Sequence, residues 1–216
     1  MPEFDAILFD FDGTLLDTEP VHWACWAQML AGVGVTLTWE YYRDFCIGID
    51  DKIMLQRLAE AALPPRDWNE LWALYPAKRE LFRERMAHPE FDPALTTLLN
   101  DLAGSYKMAV VSSSACSEIQ PILEAGGLLS FFGTVVGGGD VKRHKPAPEP
   151  YLLAAERLQV NRALVLEDSD AGVVSGRAAG FEVIRVKHPT DVPTLVRKRL
   201  ELRTQESALS TTLSGS

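Results

Sequence analysis

Two carboxylates lie two residues apart at the end of an apolar N-terminal segment. Asp10 and Asp12 stand in the string I-L-F-D-F-D-G-T-L, which covers residues 7–15. In a strand, residues i and i+2 share a face, and the glycine lets the chain turn directly afterwards. Carboxylates held this close repel each other unless a cation such as Mg²⁺ neutralises them. The pair can also supply a nucleophile and a proton-transfer partner, although a lone D-x-D is equally typical of a turn.

More polar groups follow the apolar strands predicted later in the chain. Ser112 begins a run of three serines that includes Ser113, and Glu167-Asp168 ends an apolar segment. Lys145 lies between them, in H-K-P-A-P-E-P-Y. Each has an ordinary explanation as a helix cap or a surface charge. Together, a hydroxyl, a lysine and two acid pairs suit a phosphate group and a magnesium ion, since cationic and hydroxyl donors bind phosphate and carboxylates hold the metal.

Alternating strands and helices would position these residues. Apolar strands are predicted at residues 4–10, 107–111, 134–136, 163–167 and 182–186, with helical segments between the later ones. This alternation indicates an α/β fold, a Rossmann-like parallel sheet covered by helices on both faces. Ligands bind such sheets beyond the carboxyl ends of the strands, where the acid pairs and the serines fall.

The segment 16–90 differs from the rest, because its spacing is helical and it holds all five tryptophans. We interpret it as a helical cap domain inserted after the first strand. The predicted domains are therefore a Rossmann-like catalytic core formed by residues 1–15 and 91–205, the cap domain, and a Ser/Thr-rich disordered tail at 206–216.

Composition excludes several classes of protein. The 216 residues carry a net charge of −9 and no basic run, which argues against a nucleic-acid partner and against binding to anionic membranes. The three cysteines are scattered in a way that fits neither a disulfide framework nor a zinc site. No signal peptide and no apolar stretch of about 20 residues is visible. We predict a monomeric cytoplasmic protein that binds a small phosphorylated metabolite.

Four motifs, in order, resemble those of the haloacid dehalogenase superfamily of aspartyl-phosphate phosphotransferases. They are D-F-D-G-T, V-V-S-S, H-K-P-A-P-E-P-Y and L-E-D-S-D-A-G, and the similarity covers residues 5–190. The resemblance implies that Asp10 is the nucleophile and that Asp12 is general acid and then base. It implies phosphate binding by the serines of the second motif and by Lys145.

The same resemblance implies the metal ligands. Asp10, the backbone carbonyl of Asp12 and Asp168 would hold Mg²⁺, with Glu167 acting directly or through water. We therefore expect Mg²⁺ as the cofactor, bound by these residues.

The cap segment resembles that of β-phosphoglucomutases and phosphoglycolate phosphatases. His22, in D-T-E-P-V-H-W, lies near the predicted hinge and would approach the leaving group or Asp12, unless it is a surface or core histidine. Gly48 matches the glycine of the substrate loop. Three residues later, where the mutases carry a phosphate-binding arginine, this chain has Asp51, preceded by Asp50. Two acids there would repel a second phosphate.

The leading hypothesis is a Mg²⁺-dependent phosphatase for a small phosphomonoester, of the sugar phosphate or phosphoglycolate type. A phosphomutase like β-phosphoglucomutase is the alternative. A true dehalogenase needs neither Asp12 nor a metal, and a non-catalytic binding module would lose the nucleophile or Lys145. The presence of Asp10, Asp12 and Lys145 therefore argues against both.

Overall fold

The computed structural model describes residues 3–47, 49 and 51–201. The chain divides into two compact units: a helical unit, Asp17–Pro89, and an α/β unit made of the segments on either side of it. Gly48, Asp50 and the predicted tail at 206–216 lie outside the described residues. None of the helices in the described ranges combines the length and the apolar character that a bilayer crossing requires.

Five parallel strands form the sheet of the α/β unit, in the order β3-β2-β1-β4-β5. They are β1 (Ala6–Phe9), β2 (Lys107–Val111), β3 (Thr134–Val136), β4 (Ala163–Glu167) and β5 (Glu182–Arg185). Every residue of β1 and β4 is buried, as expected where helices cover both faces of a sheet. The predicted Rossmann-like parallel α/β fold is confirmed.

The register of the three central strands aligns their carboxyl ends. Phe9 pairs with Val110 on one side and with Leu166 on the other. The residues that follow Phe9, Val111 and Leu166 therefore meet at one edge of the sheet. This alignment brings the first acid pair, the serine run and the second acid pair together.

Helices connect the strands of the α/β unit. They are α6 (Pro93–Leu102), α7 (Cys116–Ala125), α8 (Glu149–Leu158), α9 (Asp170–Ala178) and α10 (Val192–Arg199). The side chain of Asp92 accepts a hydrogen bond from the Ala94 amide and caps α6, and Ser169 caps α9 in the same way through Gly172. Short 3₁₀ turns at Leu129–Phe131, Gly138–Asp140 and Pro189–Asp191 complete the connections.

The described part of the helical unit contains five helices: α1 (Glu19–Ala31), α2 (Trp39–Phe45), α3 (Asp51–Ala61), α4 (Trp68–Trp72) and α5 (Tyr75–Arg85). Its core is built around Trp26, Leu30, Leu55 and Leu71, each of them 0% exposed. The other four tryptophans pack against this core as partly buried side chains. The tryptophans thus hold the helices of this unit together.

Candidate active site

Lys145 lies at the centre of a buried ionic network at the carboxyl edge of the sheet. Its Nζ donates to Asp10 Oδ1 at 2.7 Å, to Glu167 Oε1 at 2.6 Å and to the Val111 carbonyl at 2.9 Å. Only 5% of the lysine side chain is exposed. One ammonium therefore links the ends of β1, β2 and β4.

Protein donors surround both oxygens of Glu167, which is fully buried. The Tyr151 hydroxyl donates to Oε1 at 2.8 Å, and the Ser169 amide and hydroxyl donate to Oε2 at 3.1 and 3.0 Å. A Cβ at Gly172 would clash with this carboxylate, so only glycine fits at this position of α9. These contacts fix the orientation of Glu167 toward Lys145.

Asp168 lies against the turn that follows β1. Gly13 in that turn has a φ of +76°, and a Cβ added there would overlap the Asp168 carboxylate. Glycine accepts this backbone conformation without a steric penalty and leaves room for the second acid. The glycine that follows Asp12 in the first motif therefore allows the two acid pairs to lie close together.

Asp10, Glu167 and Asp168 form a carboxylate cluster whose nearest oxygens all lie within 4.8 Å of one another. Burial raises the pKa of Asp168 to about 6, with repulsion from Glu167 adding to the effect. The pKa of Asp10 is raised well above its usual range by burial and by the neighbouring carboxylates, although Lys145 opposes the shift. Three hard oxygen donors with excess negative charge fit Mg²⁺, because an added cation would restore the ionised form of Asp10.

The electrostatics of Lys145 differ from those of the acids. Burial lowers the pKa of its ammonium, but the Asp10 and Glu167 carboxylates outweigh burial, so the net pKa is raised. Lys145 thus stays cationic. We call Asp10, Lys145, Glu167 and Asp168 the strand-end cluster.

Asp12 contacts the serine run after β2. Its Oδ2 accepts from Ser112 Oγ at 3.1 Å and from Ser114 Oγ at 2.8 Å. The Ser114 amide in turn donates to Ser112 Oγ at 2.9 Å. Ser113, between the two, is exposed. The two outer serines thus face the acid, and phosphate binding by Ser112 and Ser113 stays a prediction.

Sequence reasoning missed three side chains that touch the predicted residues. Ser114 was within the serine run, whose register a single sequence does not settle. Tyr151 was visible in the third motif and Ser169 in the fourth, but nothing in their types indicated that both would hold Glu167. Their contacts depend on how α8 and α9 pack. Periodicity predicts that these segments are helical but not where their side chains lie.

His22 belongs to the helical unit, on α1, where its Nδ1 lies 2.9 Å from Lys78 Nζ. Its ring stacks on Phe82 with centroids 4.0 Å apart. An ammonium can only donate, so the Nδ1 of His22 accepts and the ring proton sits on Nε2. The predicted role of His22 toward the leaving group stays a prediction.

Asp51 is tied into the same group. Its Oδ1 accepts from the Trp26 indole at 2.9 Å, and its Oδ2 lies 3.5 Å from Lys78 Nζ. We call His22, Trp26, Asp51 and Lys78 the helical-unit cluster. A buried ammonium therefore lies beside Asp51. The predicted repulsion of a second phosphate by this acid stays a prediction.

The chain is similar to several known proteins. A profile of the family described as haloacid dehalogenase-like hydrolase matches residues 7–186. Fructose-1-phosphate phosphatase YqaB of Escherichia coli K12 is 31% identical over 187 residues, 85% of this chain and 97% of that protein. A phosphorylated carbohydrates phosphatase of Thermotoga maritima is 31% identical over 185 residues, 83% of each chain. The crystal structure of CbbY from Rhodobacter sphaeroides in complex with phosphate superposes with a TM-score of 0.73 at 28% identity, covering 84% of this chain and 85% of that one.

Proposed function

The chain belongs to the haloacid dehalogenase-like hydrolases and is a phosphoric monoester hydrolase, and from that premise we propose that it is a Mg²⁺-dependent phosphatase acting on a small sugar phosphate through an aspartyl-phosphate intermediate. The observation that carries the proposal is the position of Asp10, whose Oδ1 is held by Lys145 at 2.7 Å in a cluster with two further carboxylates. A fixed carboxylate beside a cation can attack phosphorus in line.

Each residue has a defined part in two half-reactions. A carboxylate oxygen of Asp10 forms a bond to phosphorus while the bond from phosphorus to the leaving oxygen breaks, and Asp12 gives its proton to that oxygen. Asp12 then takes a proton from water, which attacks phosphorus and releases phosphate and Asp10. Lys145 and Ser112 bind phosphate oxygens.

Mg²⁺, held by Asp10, Asp168 and the Asp12 carbonyl, would supply charge neutralisation of the phosphoryl oxygens. Both oxygens of Glu167 already accept from Lys145, Tyr151 or Ser169 in the structure. Its role is therefore to fix Lys145, and it would add negative charge beside the ion.

The names of the relatives support a sugar phosphate as the substrate class, since one acts on fructose 1-phosphate and another on phosphorylated carbohydrates. The test is phosphate release from fructose 1-phosphate, glucose 6-phosphate and phosphoglycolate. We expect release to stop in EDTA and to return with Mg²⁺ but not with Ca²⁺, whose looser geometry misplaces the nucleophile. Full activity in chelator would reject the metal role.

The intermediate can be trapped. Rapid acid quenching followed by peptide mass spectrometry should find one phosphoryl group on the peptide that contains Asp10. Asp12→Asn should increase the trapped fraction with an activated aryl phosphate, because water then lacks its base. Turnover without any phosphorylated peptide in either protein would contradict the covalent route.

The mutase alternative requires a second phosphate site. In the described part of the helical unit, Asp51 occupies the position where an arginine was expected, and Lys78 is already paired with it. We therefore expect phosphate release without a bisphosphate requirement. A phosphorus NMR time course with β-glucose 1-phosphate and a trace of its 1,6-bisphosphate distinguishes the two. Accumulation of glucose 6-phosphate with little free phosphate would overturn the phosphatase assignment.

A further inference from the structure

Of the two serine hydroxyls that donate to the Asp12 carboxylate, that of Ser114 lies nearer. Its hydroxyl donates to Oδ2 at 2.8 Å, and Ser112 Oγ donates to the same oxygen at 3.1 Å. The Ser114 amide also donates to Ser112 Oγ, which orients the second hydroxyl. In the structure, both serine hydroxyls direct their one proton to the same carboxylate oxygen.

We propose that Ser114 is a positioning residue that fixes the orientation of the Asp12 carboxyl group for proton transfer to the leaving oxygen. This inference rests on the proposed function, in which Asp12 is the general acid. The hydroxyls of Ser112 and Ser114 hold Oδ2 in place. When Asp12 gives its proton to the leaving oxygen, the new negative charge is shared with an oxygen that already has two donors.

Ser114 bears on proton transfer rather than on phosphate binding. Ser112 is the predicted phosphate contact, so its loss would weaken both functions at once. Ser114 is only half-buried and lies between β2 and α7. Its removal should therefore leave the strand-end cluster intact while the Asp12 carboxylate loses the shorter of its two serine hydrogen bonds and is held less firmly.

The leaving group separates the two roles. An alkyl phosphate such as glycerol 2-phosphate expels a strongly basic alkoxide and needs the acid, whereas p-nitrophenyl phosphate expels a weakly basic phenolate and hardly needs it. The value of kcat/KM covers only the steps up to the first irreversible one, which is phosphorylation of Asp10. The ratio of kcat/KM for the two substrates therefore measures help from Asp12 alone.

Ser114→Val and Ser114→Thr form a matched pair, because the side chains are alike in shape and differ by one hydroxyl. A hydrogen bond to a charged group is worth enough for about a tenfold effect. We expect Ser114→Val to lower kcat/KM for glycerol 2-phosphate about tenfold and for p-nitrophenyl phosphate less than about twofold. Ser114→Thr should restore most of the alkyl activity. Ser117→Ala, at an exposed serine of α7, should change neither value.

Asp12→Asn is the reference that separates failure of this inference from failure of the proposed function. It should show the same preference for the aryl substrate, but more strongly. If Asp12→Asn lowers both substrates equally, the acid role of Asp12 itself is wrong. If Asp12→Asn is selective while Ser114→Val lowers both equally, lowers neither, or matches Ser114→Thr, the positioning role of Ser114 is overturned.

Discussion

The strand-end cluster and the helical-unit cluster each bury one lysine to the same degree, since both ammonium side chains are 5% exposed. Their charge balance differs. Lys145 contacts Asp10 and Glu167 in a cluster of three carboxylates. Among the described residues, Lys78 pairs with the carboxylate of Asp51 and donates to the ring of His22. Aromatic rings surround Lys78, with Trp26 and Phe82 within 5.5 Å. The Lys78–Asp51 pair is balanced in charge and packs among aromatic side chains, as expected of a structural ion pair. The buried carboxylates around Lys145 exceed its single positive charge, which favours binding of a cation.

The largest effect should come from the nucleophile of the unbalanced cluster. Asp10→Asn keeps the shape of the side chain but removes the attacking charge, so turnover should fall below about a hundredth of wild type while the protein stays folded. Asp170→Asn is the matched control, because Asp170 is 99% exposed and contacts only Arg185 among the salt bridges of the described chain. Substantial phosphatase activity in Asp10→Asn would count against the aspartyl-phosphate route.

Removal of the central ammonium should be the largest effect on stability. Lys145→Met leaves the buried carboxylates without their cation, and breaking a buried pair in this way costs about 3 kcal/mol. The measurement is urea unfolding in EDTA, followed by circular dichroism. An unchanged urea midpoint would show that the buried carboxylates take up protons or water at little cost in free energy. The two clusters would then not differ in what their lysines contribute to stability.

Asp168→Asn should change stability in the opposite direction in metal-free protein. The pKa of Asp168 is raised to about 6 from 3.8, so its contribution to stability is present below about pH 4 and is lost as the pH rises through 6. The full shift corresponds to about 3 kcal/mol, and because Asp168 is only half-buried, the variant should gain about 2 kcal/mol at pH 8. The gain should shrink toward pH 4. The same variant should lose the stabilisation that Mg²⁺ gives the wild type. A destabilised variant at pH 8 would contradict the proposed electrostatic strain.

The smallest effect should come from the balanced cluster. Lys78→Met removes one donor from His22 and one from Asp51. The Asp51 side chain is 30% exposed to water and keeps its bond from Trp26, so the loss should be about 1 kcal/mol. All five tryptophans belong to the helical unit, so their emission reports its unfolding. A loss as large as that of Lys145→Met would show that the two clusters do not differ in kind.

Much of the fold followed from pattern alone. Strands β2, β3 and β4 have the predicted bounds, because continuous apolar runs between turn signals leave little freedom. The 3₁₀ turn at Gly138–Asp140 was not predicted, since a run of three glycines looks like a loop. Its geometry depends on Asp140 accepting from the Gly137 amide, a contact that no periodicity encodes.

The site was predictable to the extent that its residues follow strand ends. Asp10, Glu167 and Asp168 meet because the register of parallel strands fixes where those ends lie. The partners of Asp12 were not predictable, because the choice among three consecutive serines depends on rotamers and on the turn after β2. The lysine that pairs with Asp51 was also missed, since it lies 27 residues away in the sequence.

The sheet order has a consequence for how the chain folds. β1 is made first and is central, but its two neighbours begin only at Lys107 and Ala163. A nascent chain therefore carries an apolar strand with both edges open while the contiguous helical unit can already collapse. Pulse-labelled hydrogen exchange during refolding should protect amides of α1 and α5 before those of β1. Simultaneous protection would show that the helical unit folds only together with the sheet.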